Sequence, residues 1–208
     1  MLTLLFYSTE RTARELTGEG CFALDDGPEP KKMIAATRSF GQRIYDLAGL
    51  EEAVATYASR AAEKLRAQQQ YCQLLQVFIR SSAFAQGAER YSRAATVPLP
   101  YATADTRDLV AAAQAGLRSI FTPGPGYAKA GVILMDFVGA GQHTDDMFAP
   151  APRPVSDRLM AVIDGINSRQ GRGAVRLARA VPERGWAMRR EHMSPRFTTS
   201  WRERLVVT

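Results

Sequence analysis

Two kinds of hydrophobic pattern follow one another along residues 31–138. Apolar and polar side chains alternate in residues 72–82 and 93–100, a period of two that is typical of β-strands. Residues 31–40 and 127–138 are short, largely apolar stretches that also predict strands. Residues 50–67 and 106–121 instead repeat apolar side chains every three or four positions, as helices with one buried face do. The order β-α-β-β-α-β predicts an α+β sandwich with a four-stranded, antiparallel-rich sheet and two helices on one face.

The same patterns predict which side chains form the core. In the second strand Leu75, Val77 and Ile79 share one face, while Gln76, Phe78 and Arg80 share the other. Pro98 lacks an N–H, so the third strand is expected at an edge of the sheet or to end there. The helices are expected to bury Leu50, Val54, Tyr57, Ala61, Leu65, Leu109, Val110, Ala113, Leu117, Ile120 and Phe121.

The flanking segments predict a division into four parts. Residues 1–30 contain a short helix over 10–16 and a turn, and residues 139–155 form a linker rich in Gly, Ala and Pro. In residues 156–208 Ser156 is expected to cap a helix, followed by a hairpin over 174–180 and 186–189. The sequence thus predicts a domain over 31–138 and a small α+β extension over 156–208.

Positive charge is concentrated in the extension. The chain of 208 residues has a net charge of +6. Residues 151–208 hold 12 Arg, no Lys and 5 acidic residues, a balance of +7, and the remainder is −1 from 15 basic and 16 acidic residues. This asymmetry predicts an anionic partner, and a solvated Arg-rich surface is the open alternative.

The sequence argues against several classes of protein. The two cysteines, Cys21 and Cys72, have neither disulfide-framework nor zinc-site spacing, which fits a reducing compartment. No apolar run is long enough for a membrane span, so a cytoplasmic protein is expected. Asp136 is an isolated carboxylate, and His143 and His192 lack a nucleophilic partner, so no catalytic residues, metal site or cofactor are predicted.

Residues 38–41 carry a candidate phosphate contact. Arg38, Ser39 and Gly41 put a cation, a hydroxyl and an open backbone within four residues, where N–H groups can also donate to a phosphate. A strand ending in a turn explains the same residues. Residues 127–137 form a second strand-like stretch that also carries a cation, Lys129, and a glycine.

Six segments, in this order and spacing, resemble the C-terminal part of the UmuC family, whose members are Y-family lesion-bypass DNA polymerases. They are residues 11–16 (RTAREL), 37–41 (TRSFG), 61–66 (AAEKLR), 127–132 (YAKAGV), 186–190 (WAMRR) and 194–199 (SPRFTT). The resemblance implies a little finger domain over 31–138 and the UmuC-specific extension over 156–208. It also implies that the catalytic palm and fingers, with their Mg²⁺, would lie before residue 1.

A little finger that lies across DNA predicts contacts from the open sheet face to phosphates, which carry no sequence information. We rank Arg38, Ser39 and Lys129 first among the candidates, and alternation allows only about half of them to face DNA. The full candidate set is Lys32, Arg38, Ser39, Gly41, Arg43, Gln76, Arg80 and Lys129.

The resemblance also implies protein partners. In the family the linker holds a sliding-clamp motif; here Met147 and Phe148 keep its apolar pair, but Thr144 replaces its Gln. The tail implies contact with the UmuD′ dimer or RecA through Arg189, Arg190 and Arg196. Three interpretations remain open: a non-catalytic DNA-binding fragment acting in SOS lesion bypass, a protein-interaction module, and a remnant of an interrupted gene.

Overall fold

The computed structural model describes residues 2–21, 31–82, 90–139, 153–180, 185–187, 194, 196–197 and 199–203, with side chains from residue 9 onward. The chain forms two compact units, Met1–Lys31 and Lys32–Thr208. The first unit contains helix α1 (Leu2–Leu16), which is longer than the predicted 10–16 and is followed by Gly18 at φ 89°. An Arg14–Glu10 ion pair of 2.6 Å joins adjacent turns of α1.

The second unit contains the predicted sandwich. Its elements are β1 (Ile34–Ile44), α2 (Leu47–Ala67), β2 (Gln70–Ser81), β3 (Ser92–Thr103), α3 (Thr106–Ile120), β4 (Tyr127–Gly139), α4 (Ser156–Gln170) and a 3₁₀ turn (Trp201–Glu203). The sheet order is β1-β4-β2-β3, and every neighbouring pair is antiparallel. The α+β prediction is therefore confirmed, and β3, which holds Pro98, is an edge strand as expected.

The core lies between one face of the sheet and helices α2 and α3. The predicted stripe of α2 is buried throughout, and Leu75, Val77 and Ile79 of β2 are fully buried beneath the helices. Helix α3 approaches the sheet closely at Gly116, where a Cβ would lie 2.8 Å from side-chain carbons of Val77 and Val97. The opposite face of the sheet, called the open face below, carries neither α2 nor α3.

Helix α4 is attached to the sandwich through Arg66, at the end of α2. The guanidinium donates Nε and one terminal nitrogen to the Asp164 carboxylate, both at 2.7 Å. Its other terminal nitrogen donates to the Ala104 carbonyl at 2.8 Å and to Thr106 Oγ1 at 2.9 Å. Because Arg66 bonds α2, the start of α3 and α4 together, the helix of the extension packs on the sandwich.

Two predictions for the extension were wrong. Ser156 does not cap α4: Val155 precedes the helix at φ 61° without a capping bond, and the Ser156 hydroxyl donates instead to Asp105 Oδ2 at 2.5 Å. The described residues of 174–180 and 185–187 form turns rather than a hairpin. Asn167 explains this locally, since its side-chain amide bonds both the N–H and the carbonyl of Val175, each at 2.9 Å.

The four-part division of the chain stays a prediction. None of the described helices is long and apolar enough to cross a bilayer.

Candidate nucleic-acid interface

Four polar residues form one row across the open face, called the basic row below. The register pairs Ser39 with Lys129, Lys129 with Arg80, and Arg80 with Ser92. Directly opposed residues of antiparallel strands point to the same side, with Cβ atoms about 4.5–5.5 Å apart. The row therefore places two cations side by side, with a hydroxyl at each end.

A phenylalanine ring lies beside the basic row on the open face. In the next row Phe78 pairs with Gly131, and the guanidinium of Arg80 lies 5.2 Å from the centroid of the Phe78 ring. A Cβ on Gly131 would lie 2.7 Å from that ring and 2.4 Å from Thr37 Cγ2. The absence of a side chain at Gly131 thus makes room for Phe78 and Thr37.

Gln76 lies on the same open face, one row further along. It pairs with Thr96 of β3 and with Ile133 of β4. Its side-chain amide donates to Thr96 Oγ1 at 3.1 Å. The predicted position of Gln76 is confirmed, although this bond already uses one of its donors.

Arg38 lies on the side of the sheet opposite to the basic row. It pairs with Ala130, which is buried in the core, and it follows the buried residues Ile34 and Ala36 at two-residue intervals. Burial raises the pKa of Tyr57 on α2 to about 12, and the charges of Arg60 and Arg38 partly oppose that increase. Ranking Arg38 together with Ser39 was therefore wrong for the open face, because neighbouring residues of one strand point to opposite faces.

Gly41 also differs from its predicted role. Its N–H donates to the carbonyl of Trp186 at 2.9 Å, so this donor is already used within the chain. The Trp186 ring packs edge-on against Phe40, at 5.9 Å between centroids, and against Tyr57, at 6.2 Å. The extension thus covers the outer edge of β1 at the position where an open backbone was predicted.

The remaining candidates are less closely grouped. Lys32 is exposed and precedes β1. Arg43 is exposed and lies within the register shift between Ser39 and Ile44. Arg196 is exposed in the extension. Met147, Phe148, Arg189 and Arg190 lie outside the described residues, so the clamp and tail contacts stay predictions.

Sequence reasoning missed Ser92, Arg93 and Arg90. All three are exposed, and they lie at the same end of the sheet as the basic row. The run Arg90-Tyr-Ser-Arg93 was a local signal, but only the pairing of β3 with β2 places Ser92 opposite Arg80 on the open face. Arg93 pairs with the buried Ile79 and so lies on the helix side of the sheet, at the same end. Within the described part of the chain, no cluster of three or more His, Cys, Asp or Glu residues could hold a metal ion.

Comparison with known families identifies the fold that carries this face. Residues 31–147, which include the whole sheet with α2 and α3, match the impB/mucB/samB family C-terminal domain. The chain belongs to this family. Residues 157–207 match a second family, described as a domain of unknown function (DUF4113), so the extension has a family match of its own.

Members of the impB/mucB/samB family are similar to the chain over nearly its whole length. Protein MucB of Salmonella typhimurium is 44% identical over 199 residues, which are 96% of this chain and 47% of MucB. Protein UmuC of Salmonella typhimurium is 42% identical over 199 residues, 95% of this chain and 47% of UmuC. Protein ImpB of the same species is 43% identical over 195 residues. The chain spans about half the length of the curated relatives it matches.

Proposed function

We propose that the open face binds the phosphate backbone of DNA, independently of sequence, as the DNA-holding part of a UmuC-like translesion polymerase in SOS mutagenesis. The supporting observation is the direct opposition of Arg80 and Lys129 across β2 and β4. Like charges at directly opposed positions destabilise a sheet. An anionic backbone between them would remove that repulsion, and the hydroxyls of Ser39 and Ser92 add donors for phosphate oxygens.

The arrangement of cations and hydroxyls fits a surface that binds any template, whatever its sequence. Phosphate contacts fix the position of a protein on a duplex and carry no sequence information. In this proposal the chain contributes no catalytic group, and nucleotidyl transfer with its Mg²⁺ belongs to the palm of a complete enzyme. Purified chain should therefore incorporate no nucleotide on primed template, and incorporation above a buffer blank would contradict this.

Fluorescence anisotropy with duplexes of unrelated sequence, measured over a range of salt concentrations, tests whether the open face binds phosphates. Non-specific affinity of this kind lies around 10⁻⁴ to 10⁻⁶ M at physiological salt. Lys129→Ala and Arg80→Ala should each weaken binding equally on all sequences and lower the slope of log K against log salt by roughly one. Arg60→Ala, an exposed substitution on α2, is the matched control. Arg38→Ala should have a smaller effect than Lys129→Ala.

The arginines of the extension provide the competing explanation. Residues 151–208 hold 12 Arg, so deleting them tests whether the extension alone holds DNA. If that deletion abolishes binding while Lys129→Ala and Arg80→Ala leave it unchanged, the open face is not the DNA-binding surface.

A protein-interaction module is the second candidate function, and α4 carries the observation that favours it. Leu159 and Val162 of α4, with Val155 just before it, expose 41%, 53% and 65% of their surface in a stripe with helical spacing. The predicted partners are the UmuD′ dimer, RecA and the sliding clamp. Leu159→Asp should abolish binding of purified UmuD′ dimer without changing DNA affinity, and an unchanged UmuD′ affinity would exclude this surface.

A further inference from the structure

A cleft lined by three arginines lies at the end of the sheet next to the basic row; it is called the arginine cleft below. It has a volume of about 600 Å³ and forms where β1 ends, β3 begins and the α3–β4 loop passes. Arg43, Arg90 and Arg93 line it, and all three are exposed. Among its described lining residues none is acidic. The arginine cleft is therefore suited to an anion.

One wall of the arginine cleft is held in place by hydrogen bonds and ring contacts. The Tyr91 hydroxyl donates to the Ile120 carbonyl and lies 3.1 Å from Thr122 Oγ1. The Tyr91 ring packs edge-on against Tyr127, with centroids 5.7 Å apart. The guanidinium of Arg93 lies over the Tyr91 ring, 5.7 Å from its centroid. Arg93 is thus supported by a fixed ring, which restricts its position at the cleft.

The other wall presents an exposed aromatic ring. Tyr45 follows β1 directly and exposes 58% of its surface. A Cβ on Gly126 would lie 2.9 Å from Tyr45 Cε1 and 2.9 Å from Arg43 Cδ, so both side chains pack against this glycine. An aromatic face beside guanidinium groups matches a nucleotide, because the base stacks on the ring and the phosphate bonds the cations.

We propose that the arginine cleft binds an unpaired nucleotide of a DNA strand that leaves the duplex on the open face. The inference rests on the proposed function, since Ser92 belongs both to the basic row and to the arginine cleft and so joins the two surfaces. A base inside a duplex is covered by its neighbours, so only an unpaired one can stack on Tyr45. A free nucleotide has the same chemistry, and the experiment separates the two sources.

The test compares a blunt duplex with the same duplex carrying a short single-stranded overhang, by fluorescence anisotropy with the full chain. The overhang should increase affinity roughly five- to 150-fold, the range for stacking of one base on an aromatic ring, and Tyr45→Ala should remove that increase. Tyr45→Phe should retain it. Arg43→Ala and Arg93→Ala should reduce the increase, whereas Arg60→Ala on α2 should leave it unchanged.

The blunt-duplex measurement keeps this inference separate from the proposed function. If the overhang adds no affinity while blunt duplex still binds and still depends on Lys129, the inference is overturned and the proposed function stands. A Tyr45→Ala variant whose affinity for blunt duplex falls as much as its affinity for overhang DNA would overturn it too. If labelled dATP alone binds in a Tyr45-dependent way and the overhang adds nothing, the assignment to a DNA strand is wrong.

Discussion

At the scale of single residues, the open face combines two opposed cations with a tightly packed phenylalanine ring beside them. Arg80 rests on the Phe78 ring, and Phe78 fills the space that the missing side chain of Gly131 leaves. The Phe78 ring restricts where the Arg80 side chain can lie, so Arg80 and Lys129 are held in a defined arrangement. A substitution that disturbs the packing of Phe78 should therefore lower the stability of the chain first, and weaken DNA binding only as a consequence.

Gly131→Ala should destabilise the chain by about 1–3 kcal/mol, the usual cost of overpacking, because the new methyl group would overlap Thr37 and Phe78. Gly165→Ala in α4 is the matched control: no heavy atom lies within 4 Å of its Cβ position. That control should be neutral or stabilising by up to about 1 kcal/mol. Denaturant unfolding measures both, and equal free energies of unfolding for the two variants would contradict the packing argument.

Asp105, which precedes α3 and is 2% exposed, should make stability depend on pH in acid. Burial alone would raise the pKa of this carboxyl, but hydrogen bonds from Arg107 and Ser156 outweigh burial and hold the pKa below its usual 3.8. A carboxyl with a lowered folded-state pKa stabilises the fold above its unfolded-state pKa, and this contribution disappears as the pH falls through the folded-state value.

Asp105→Asn should therefore lower the free energy of unfolding at pH 7 by about 1–3 kcal/mol. The difference from the original chain should shrink as the pH falls below 3.8, since both side chains are then uncharged. Urea unfolding across this pH range measures it. A difference that stays constant down to the lowest pH would show that the charge of Asp105 is not involved.

At the scale of elements, α4 buries little apolar surface and bonds to the sandwich through polar side chains. Met160 is its one fully buried side chain among those described, and the Arg66–Asp164 pair supplies two charge-assisted hydrogen bonds. Arg66 is 13% exposed and Asp164 33%, so solvent only partly screens the pair. Local stability of α4 should accordingly be lower than that of the sheet and sensitive to this pair.

Asp164→Ala should cost about 1–2 kcal/mol and loosen α4, because Arg66 loses its carboxylate while keeping its bonds to Ala104 and Thr106. Hydrogen exchange should accelerate along α4 and remain slow in β2 and β4. Arg169→Ala, also on α4 and exposed, is the matched control and should change neither the free energy of unfolding nor the rate of hydrogen exchange along α4. Equal acceleration in the sheet would mean that α4 and the sandwich unfold together.

At the scale of the whole molecule, the extension and the sandwich belong to one compact unit. Trp186 covers Tyr57 and the edge of β1, and Asp164 pairs with Arg66, so the sandwich shares part of its packing with the extension. Ending the chain after residue 139 should still leave a folded sandwich, because its main core is internal. Its melting temperature should be lower than that of the full chain, and equal melting temperatures in calorimetry would contradict this.

Local periodicity and composition determined the strands and helices of the sandwich. The four strand-like and two helical patterns of residues 31–138 lie in β1–β4, α2 and α3, and Pro98 correctly marked an edge strand. These features are readable because burial of one apolar face repeats with the geometry of the element itself. Ser39, Arg80 and Lys129 could likewise be named one by one, since each belongs to an evident strand.

Only the tertiary structure decided how those residues meet. The register of β4 between β1 and β2 brings Lys129 against Arg80 and Ser39 while Arg38 turns to the helix side, and no local pattern specifies that register. The partner of Gly41, Trp186, is distant in sequence. The geometry of one strand sets which of its side chains share a face. The cross-strand neighbours of each side chain depend instead on which distant segments pair, and the candidate interface is built from those neighbours.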